Sequence, residues 1–442
     1  MSLLSIAAIL LCLAGLFAWV NQRYFRLPAT IGLMLLALLN ALALLMAKQF
    51  APAWVAPAER MMTSIDFDRT LMQGMLGYLL FAGALHVDLA KLRNHRTIVL
   101  LLATAGVLIT AVLVGGATWL VTQVLDLDVP FIYCLAFGAL IAPTDPIAVL
   151  AILKQVGAPK SIEVKLAGES LFNDGVAVVV FIGLLRIAGI GGPTASSPTE
   201  DDLTSEIVHH ATSMGELFLV EVGGGVLLGL GLGYLLVALL GSIDDYKTEV
   251  LLTLAGVTGG YVLCTYLHFS GPLAMVIAGL FIGHRGRRSA LSDESVRRLD
   301  EFWELIDEIL NAVLFVLVGL EVLVITLKPS FLVAGFAVVP LALLGRFVTV
   351  AGMAALLKTT QEFTPGATRL LAWAGLRGGV SVALALSLKG KLPPDLSGVG
   401  DLLVTMTYVV VCFSIIVQGL TIGLLVKKLG LATGAARMSH AP

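Results

Sequence analysis

The sequence predicts an all-α protein that crosses a membrane many times. Three observations carry this reading. Of the 442 residues, 58% are hydrophobic and only 13% are charged, and mean hydropathy is +0.96. An ordinary soluble domain is roughly half apolar and about a quarter charged. The apolar residues also gather into stretches of roughly twenty, the length that spans a bilayer as a helix.

Thirteen stretches read as spans, at about 2–20, 29–47, 70–87, 97–122, 129–153, 162–189, 214–241, 248–267, 271–284, 300–326, 330–357, 365–388 and 402–426. The first lacks the basic start and small-residue cleavage site of a signal peptide, so it is expected to remain as a span. The ninth is the shortest and opens on Gly271-Pro272. Thirteen spans put the termini on opposite sides. With the N-terminus outside, nineteen of the 28 Lys and Arg fall in inner loops and seven in outer ones, with Arg346 and Arg377 inside spans. The positive-inside rule therefore sets the C-terminus, with a short tail at 431–442, in the cytoplasm of a cell (inner or plasma) membrane protein.

Smaller features exclude other classes. A net charge of −2 argues against a nucleic-acid partner. Cys12, Cys134, Cys264 and Cys412 lie in apolar runs with no CxxC spacing and read as small core residues. The Gly/Ser/Pro-rich, acidic stretch 190–213 reads as a solvated external loop, with His209 and His210 as a solvated pair in it rather than a metal site.

Two spans are interrupted. The fifth contains Pro143-Thr144-Asp145-Pro146, and each proline removes a backbone donor and clashes with the preceding turn. The twelfth contains Gly375-Leu376-Arg377-Gly378-Gly379, three glycines around one arginine. A bilayer tolerates such breaks only where they are buried in protein or line a wet cavity. One break is in the fifth span of spans 1–6 and the other in the fifth of spans 8–13, and the two helices run in opposite directions. Matching breaks in two oppositely oriented six-helix repeats are a signature of secondary transporters.

Charges at membrane depth sharpen the functional reading. Asp145, Glu169 and Asp174 face Arg346 and Arg377, and each such group costs roughly 2.5–3.5 kcal/mol to insert. Two cations cannot neutralise three carboxylates. At the breaks, Asp145 suits the positive N-terminal end of a half-helix and Arg377 the negative C-terminal end. Glu169 is most simply the buried partner of Arg346. Asp174 is then left for a moving cation or a proton. Glu169 and Asp174 point about 140° apart around a helix, whereas Ser170, four residues before Asp174, shares its face. A hydroxyl and a carboxylate on one face are hard oxygen ligands suited to a small cation.

Pro143-Thr144-Asp145-Pro146, Gly168-Glu169-Ser170-Leu171-Phe172-Asn173-Asp174-Gly175, Gly345-Arg346 and Gly375-Leu376-Arg377-Gly378 together resemble the monovalent cation:proton antiporters of the NhaP/NHE type. The resemblance implies a thirteen-helix fold with a six-helix core domain, about 97–189 plus 330–426. An interface domain, about 1–87 plus 214–326, and a homodimer go with it. It further implies that Asp174 binds Na+ (or Li+ or K+) and H+ in turn, helped by Thr144 and Ser170. The Asn173-Asp174 pair goes with electroneutral exchange in that family. The pattern departs at Phe81-Ala82-Gly83-Ala84-Leu85-His86, where many members carry a glutamate in Phe-Glu-Gly-Gly-Leu.

The acidic run Asp300, Glu301, Glu304, Asp307 and Glu308 repeats at three and four residues along one helix side. It reads equally as a funnel that draws cations inward or as a solvated helix start paired with Arg297 and Arg298. No cofactor and no enzymatic chemistry are expected, since the sequence around Ser170 is not a nucleophile elbow. Solute symport through a similar inverted-repeat fold and a cation channel are the alternative transport readings.

Overall fold

The computed structural model describes residues 3–48, 50, 52–65, 70–87, 89, 92, 95–190, 203–357 and 366–431. Every regular element among them is a helix. The chain opens with α1 (Leu3–Val20), α2 (Ala29–Lys48), α3 (Pro52–Ser64) and α4 (Leu76–Leu85). It continues through α5 (Arg96–Ala103), α6 (Ala105–Val124), α7 (Phe131–Ile141), α8 (Ile147–Val156) and α9 (Lys160–Ile187). After these come α10 (Leu203–Leu240), α11 (Tyr246–Tyr266), α12 (Gly271–Phe281) and α13 (Asp293–Leu320). The last five are α14 (Pro329–Leu357), α15 (Ala367–Trp373), α16 (Gly379–Lys391), α17 (Ser397–Phe413) and α18 (Gly419–Lys428).

Among the described residues, eight helical stretches are long and apolar enough to cross a membrane. The sequence pattern suggests more, and the difference has physical causes. The fifth and twelfth stretches are cut into α7/α8 and α15/α16, whose halves are short. The tenth is α13, whose first half carries the acidic run and two arginines. The loop expected at 190–213 is shorter than its composition implies. Helix α10 begins at Leu203, so His209 and His210 are helical. The rest of that loop from 191 on, and the tail after residue 431, lie outside the described residues.

Local chemistry fixes several helix starts. Ser292 caps α13 by accepting from Ser295 N at 3.3 Å, and Ser270 caps α12 ahead of Pro272, whose missing N–H costs nothing there. Asp245 caps α11, accepting from Thr248 Oγ1 at 2.6 Å and Thr248 N at 3.1 Å, and these bonds hold its carboxyl below the usual carboxylate range.

The helices pack into two groups. In the larger, α1–α3, α5–α9, the C-terminal end of α13 and α14–α18 share a core that includes Phe137, Phe181, Leu371 and Met406. Here α6 and α7 touch so closely that a Cβ on Gly138 would collide with Ala111 O. In the smaller, α4 and α10–α13 surround the fully buried Trp303, which packs on Phe81 at 4.7 Å between ring centroids and donates to Thr253 Oγ1 at 3.1 Å. Truncating a side chain so buried costs roughly 3–5 kcal/mol. Leu227, Tyr234, Leu251, Tyr266, Phe336 and Leu356 are exposed on the outer faces. Apolar surface of this extent is what lipid covers.

Candidate functional site

The two breaks meet. Helix α7 stops at Ile141 and α8 starts at Ile147; α15 stops at Trp373 and α16 starts at Gly379. Between them both chains are extended, and they cross antiparallel where Asp145 N donates to Leu376 O at 2.7 Å. Four half-helix ends therefore point at one spot deep in the protein. Prolines 143 and 146 explain the first break: neither can donate, so the freed carbonyls need partners from elsewhere.

Arg377 supplies them. Its Nη1 donates to Ala142 O and, at 3.0 Å, to Pro143 O, which places a cation on the negative end of α7. Asp145 lies beside the start of α16, so close that a Cβ on Gly378 would sit 2.6 Å from its Oδ2 and 2.7 Å from its Cβ. Gly378 of the second break is thus demanded by the first. A Cβ on Gly375 would likewise stand 2.7 Å from Arg346 Nε.

Glu169 of α9 and Arg346 of α14 form a two-pronged ion pair, with Nη2 to Oε2 at 2.9 Å; both are almost fully buried. Arg346 also donates to Leu371 O at 3.4 Å, which fastens the pair to α15. One turn further along α9 stands Asp174. It makes no ion pair among the described residues and lines a cavity of about 580 Å³.

Three of the four residues expected at the ion, Asp174, Ser170 and Thr144, line that cavity. Asn173 does not. Its Nδ2 donates to Thr144 Oγ1 at 2.9 Å, while Ser170 Oγ donates to Thr144 O. Helix α9 thus grips the first break at one residue by both its hydroxyl and its carbonyl. Asp145 also lines the cavity.

Several contributors escaped the sequence reading. Ser381 of α16 lines the cavity with a buried Oγ that has no partner among the described residues. A π-helical turn at Ser414–Gln418 braces the second break: Ser414 Oγ accepts from Arg377 N at 2.9 Å, and Gln418 Nε2 donates to Trp373 O at 2.8 Å. The available signal was a pair of polar residues in an otherwise apolar run. Ala82, at the departure from the family pattern, lines the cavity; His86 stands near its rim and approaches Asp300 at 3.7 Å.

Comparison with known proteins gives the family. Residues 7–428 match the family model described as sodium/hydrogen exchanger, transmembrane. The chain belongs to the sodium/hydrogen exchanger family. A Na+/H+ antiporter, NhaP, of Pseudomonas aeruginosa is 46% identical over 97% of this chain and 97% of its own length. A Na+/H+ antiporter, NhaH, of Halobacillus dabanensis is 36% identical over 85% of this chain and 87% of its own. The structure of the sodium proton antiporter MjNhaP1 from Methanocaldococcus jannaschii at pH 8 superposes with a TM-score of 0.71, covering 97% of this chain and 99% of that one at 22% identity. This exchanger shares its fold.

Proposed function

We propose that the protein is a secondary active antiporter exchanging a monovalent cation, Na+ first and Li+ or K+ next, for H+ across the cell membrane. The observation that carries this is the unequal treatment of two carboxylates on α9. Glu169 is neutralised by Arg346, whereas Asp174 meets the cavity without a counter-charge among the described residues. A carboxylate in that position binds a cation or a proton and not both, which is what obligatory exchange requires. The names of the Pseudomonas and Halobacillus relatives support the same reading.

In this account thirteen spans form two inverted six-helix repeats. Residues of about 97–189 and 330–426 act as the moving core, and about 1–87 and 214–326 as the interface domain through which a homodimer forms. The cavity opens to the cytoplasm, with the N-terminus outside. Ser170 and Thr144 lend neutral oxygens to the ion, Asn173 positions Thr144, and Asp145 and Arg377 compensate the half-helix ends. One titrating carboxylate implies one proton per cation and no net charge moved. The test is a pH jump across proteoliposomes containing the purified protein, repeated with each alkali cation. Exchange predicts cation accumulation that an imposed membrane potential does not alter. Cation flux without proton counter-movement would indicate a channel, and flux needing an organic solute would indicate symport.

A further inference from the structure

The structure divides the acidic run of α13 into two sets. Asp300 is held by Arg287 in a two-pronged bond of 2.9 and 2.5 Å, and Arg298 reaches both Glu294 and Glu301. Those carboxylates are accounted for. Glu304, Asp307 and Glu308 make no ion pair among the described residues, and together with Asn311 they line the cavity that Asp174 also lines. The four recur at three- and four-residue spacing and so occupy one helix face. They also descend in depth: Glu304 and Glu308 are exposed, Asp307 is half-buried and Asn311 is 3% exposed.

Asn311 points to a ligand. Its Nδ2 donates to Asp307 O at 2.8 Å, but its Oδ1 is buried with no partner among the described residues. A buried amide oxygen without a donor loses its hydration with nothing in return. A residue that lines a cavity and carries this cost next to a carboxylate is suited to a cation. One carboxylate and one amide oxygen are hard, weakly charged ligands, which favours a monovalent over a transition-metal ion. Asp145 lines the same cavity as Asp174 and Asp307.

We propose that Asp307 and Asn311 form a second monovalent-cation site in the same cavity, where an ion waits before it passes to Asp174. The proposal rests on the antiporter reading and places ligands on α9 and α13. Equilibrium binding of radioactive Na+ to the purified full-length chain at alkaline pH tests it. Wild type binds two Na+ per chain. Asp174→Asn retains one, Asp174→Asn with Asp307→Asn retains none, and Asn311→Leu weakens the waiting site about tenfold without changing the charge. If the double variant binds as much Na+ as Asp174→Asn, there is no second site, and an unaltered affinity in Asn311→Leu likewise overturns the assignment. The two readings fail separately: two sites retained in Asp174→Asn would contradict the antiporter site while leaving the loss in Asp307→Asn to be read independently. Thermal unfolding with and without Na+ verifies that each variant is folded, and Asp307→Glu should restore the binding lost in Asp307→Asn.

Discussion

Arg346 and Glu169 join α14 to α9 by two parallel guanidinium–carboxylate hydrogen bonds in a site with almost no solvent exposure. Arg346 also lies against Gly375 and donates to Leu371 O, so the pair sits beside the second break and fixes two elements that would otherwise carry lone charges.

Removing one partner strands the other. Breaking a buried pair typically costs about 3–5 kcal/mol. Glu169→Gln and Arg346→Ala should therefore lower the detergent-solubilised melting temperature markedly, by differential scanning fluorimetry. A variant as stable as wild type but inactive would move that residue from the scaffold into the transport site.

Thr144 is gripped twice, through its hydroxyl by Asn173 and through its carbonyl by Ser170. Thr144→Ala and Ser170→Ala should raise the apparent cation KM several-fold with the maximal rate largely retained. Residues that share one partner do not act additively. Asn173→Ala should therefore match Thr144→Ala, and the double variant should be no worse than either alone; initial-rate kinetics in proteoliposomes decide. Additive losses would show that Asn173 touches the ion itself.

The crossing has no room for a side chain at Gly378, where a Cβ would meet both the Oδ2 and the Cβ of Asp145. Overpacking of this kind costs roughly 1–3 kcal/mol. Gly378→Ala should lower the melting temperature by several degrees and reduce exchange more than that loss of stability explains. Full activity would mean that the break relaxes freely.

Much of this was legible in the sequence because membrane insertion makes polar residues informative. Pro143, Pro146 and the glycines around Arg377 announce two breaks, and the arginines and carboxylates can be matched by number. Contacts between distant segments were not legible. Nothing in the sequence says that Ser414 accepts from Arg377 N, or that Asn173 turns to Thr144. The acidic run was ambiguous for the same reason. Its periodicity shows one helix face, but only the fold shows that Asp300 is spent on Arg287 while Asp307 lines the cavity. Span counting had its own limit: the thirteen apolar stretches include broken and charged helices that length and hydropathy alone do not recognise.

Competition between ion and proton gives a pH dependence with a definite sign. Protonated Asp174 cannot bind the cation. Below the pH at which the site is half-protonated, each further unit should therefore raise the apparent cation KM about tenfold, by the same mass action that sets any competitive equilibrium. Maximal rates at saturating cation should be less affected. A KM independent of pH across the active range would show that proton and cation use different groups.

The central claim is that Asp174 alone carries the exchanged ion and proton. Exchange by the Asp174→Asn variant in proteoliposomes, measured beside its melting temperature, tests this most directly. The account predicts a folded protein whose pH-driven Na+ uptake is indistinguishable from empty liposomes. Residual pH-driven uptake by the folded variant would contradict it.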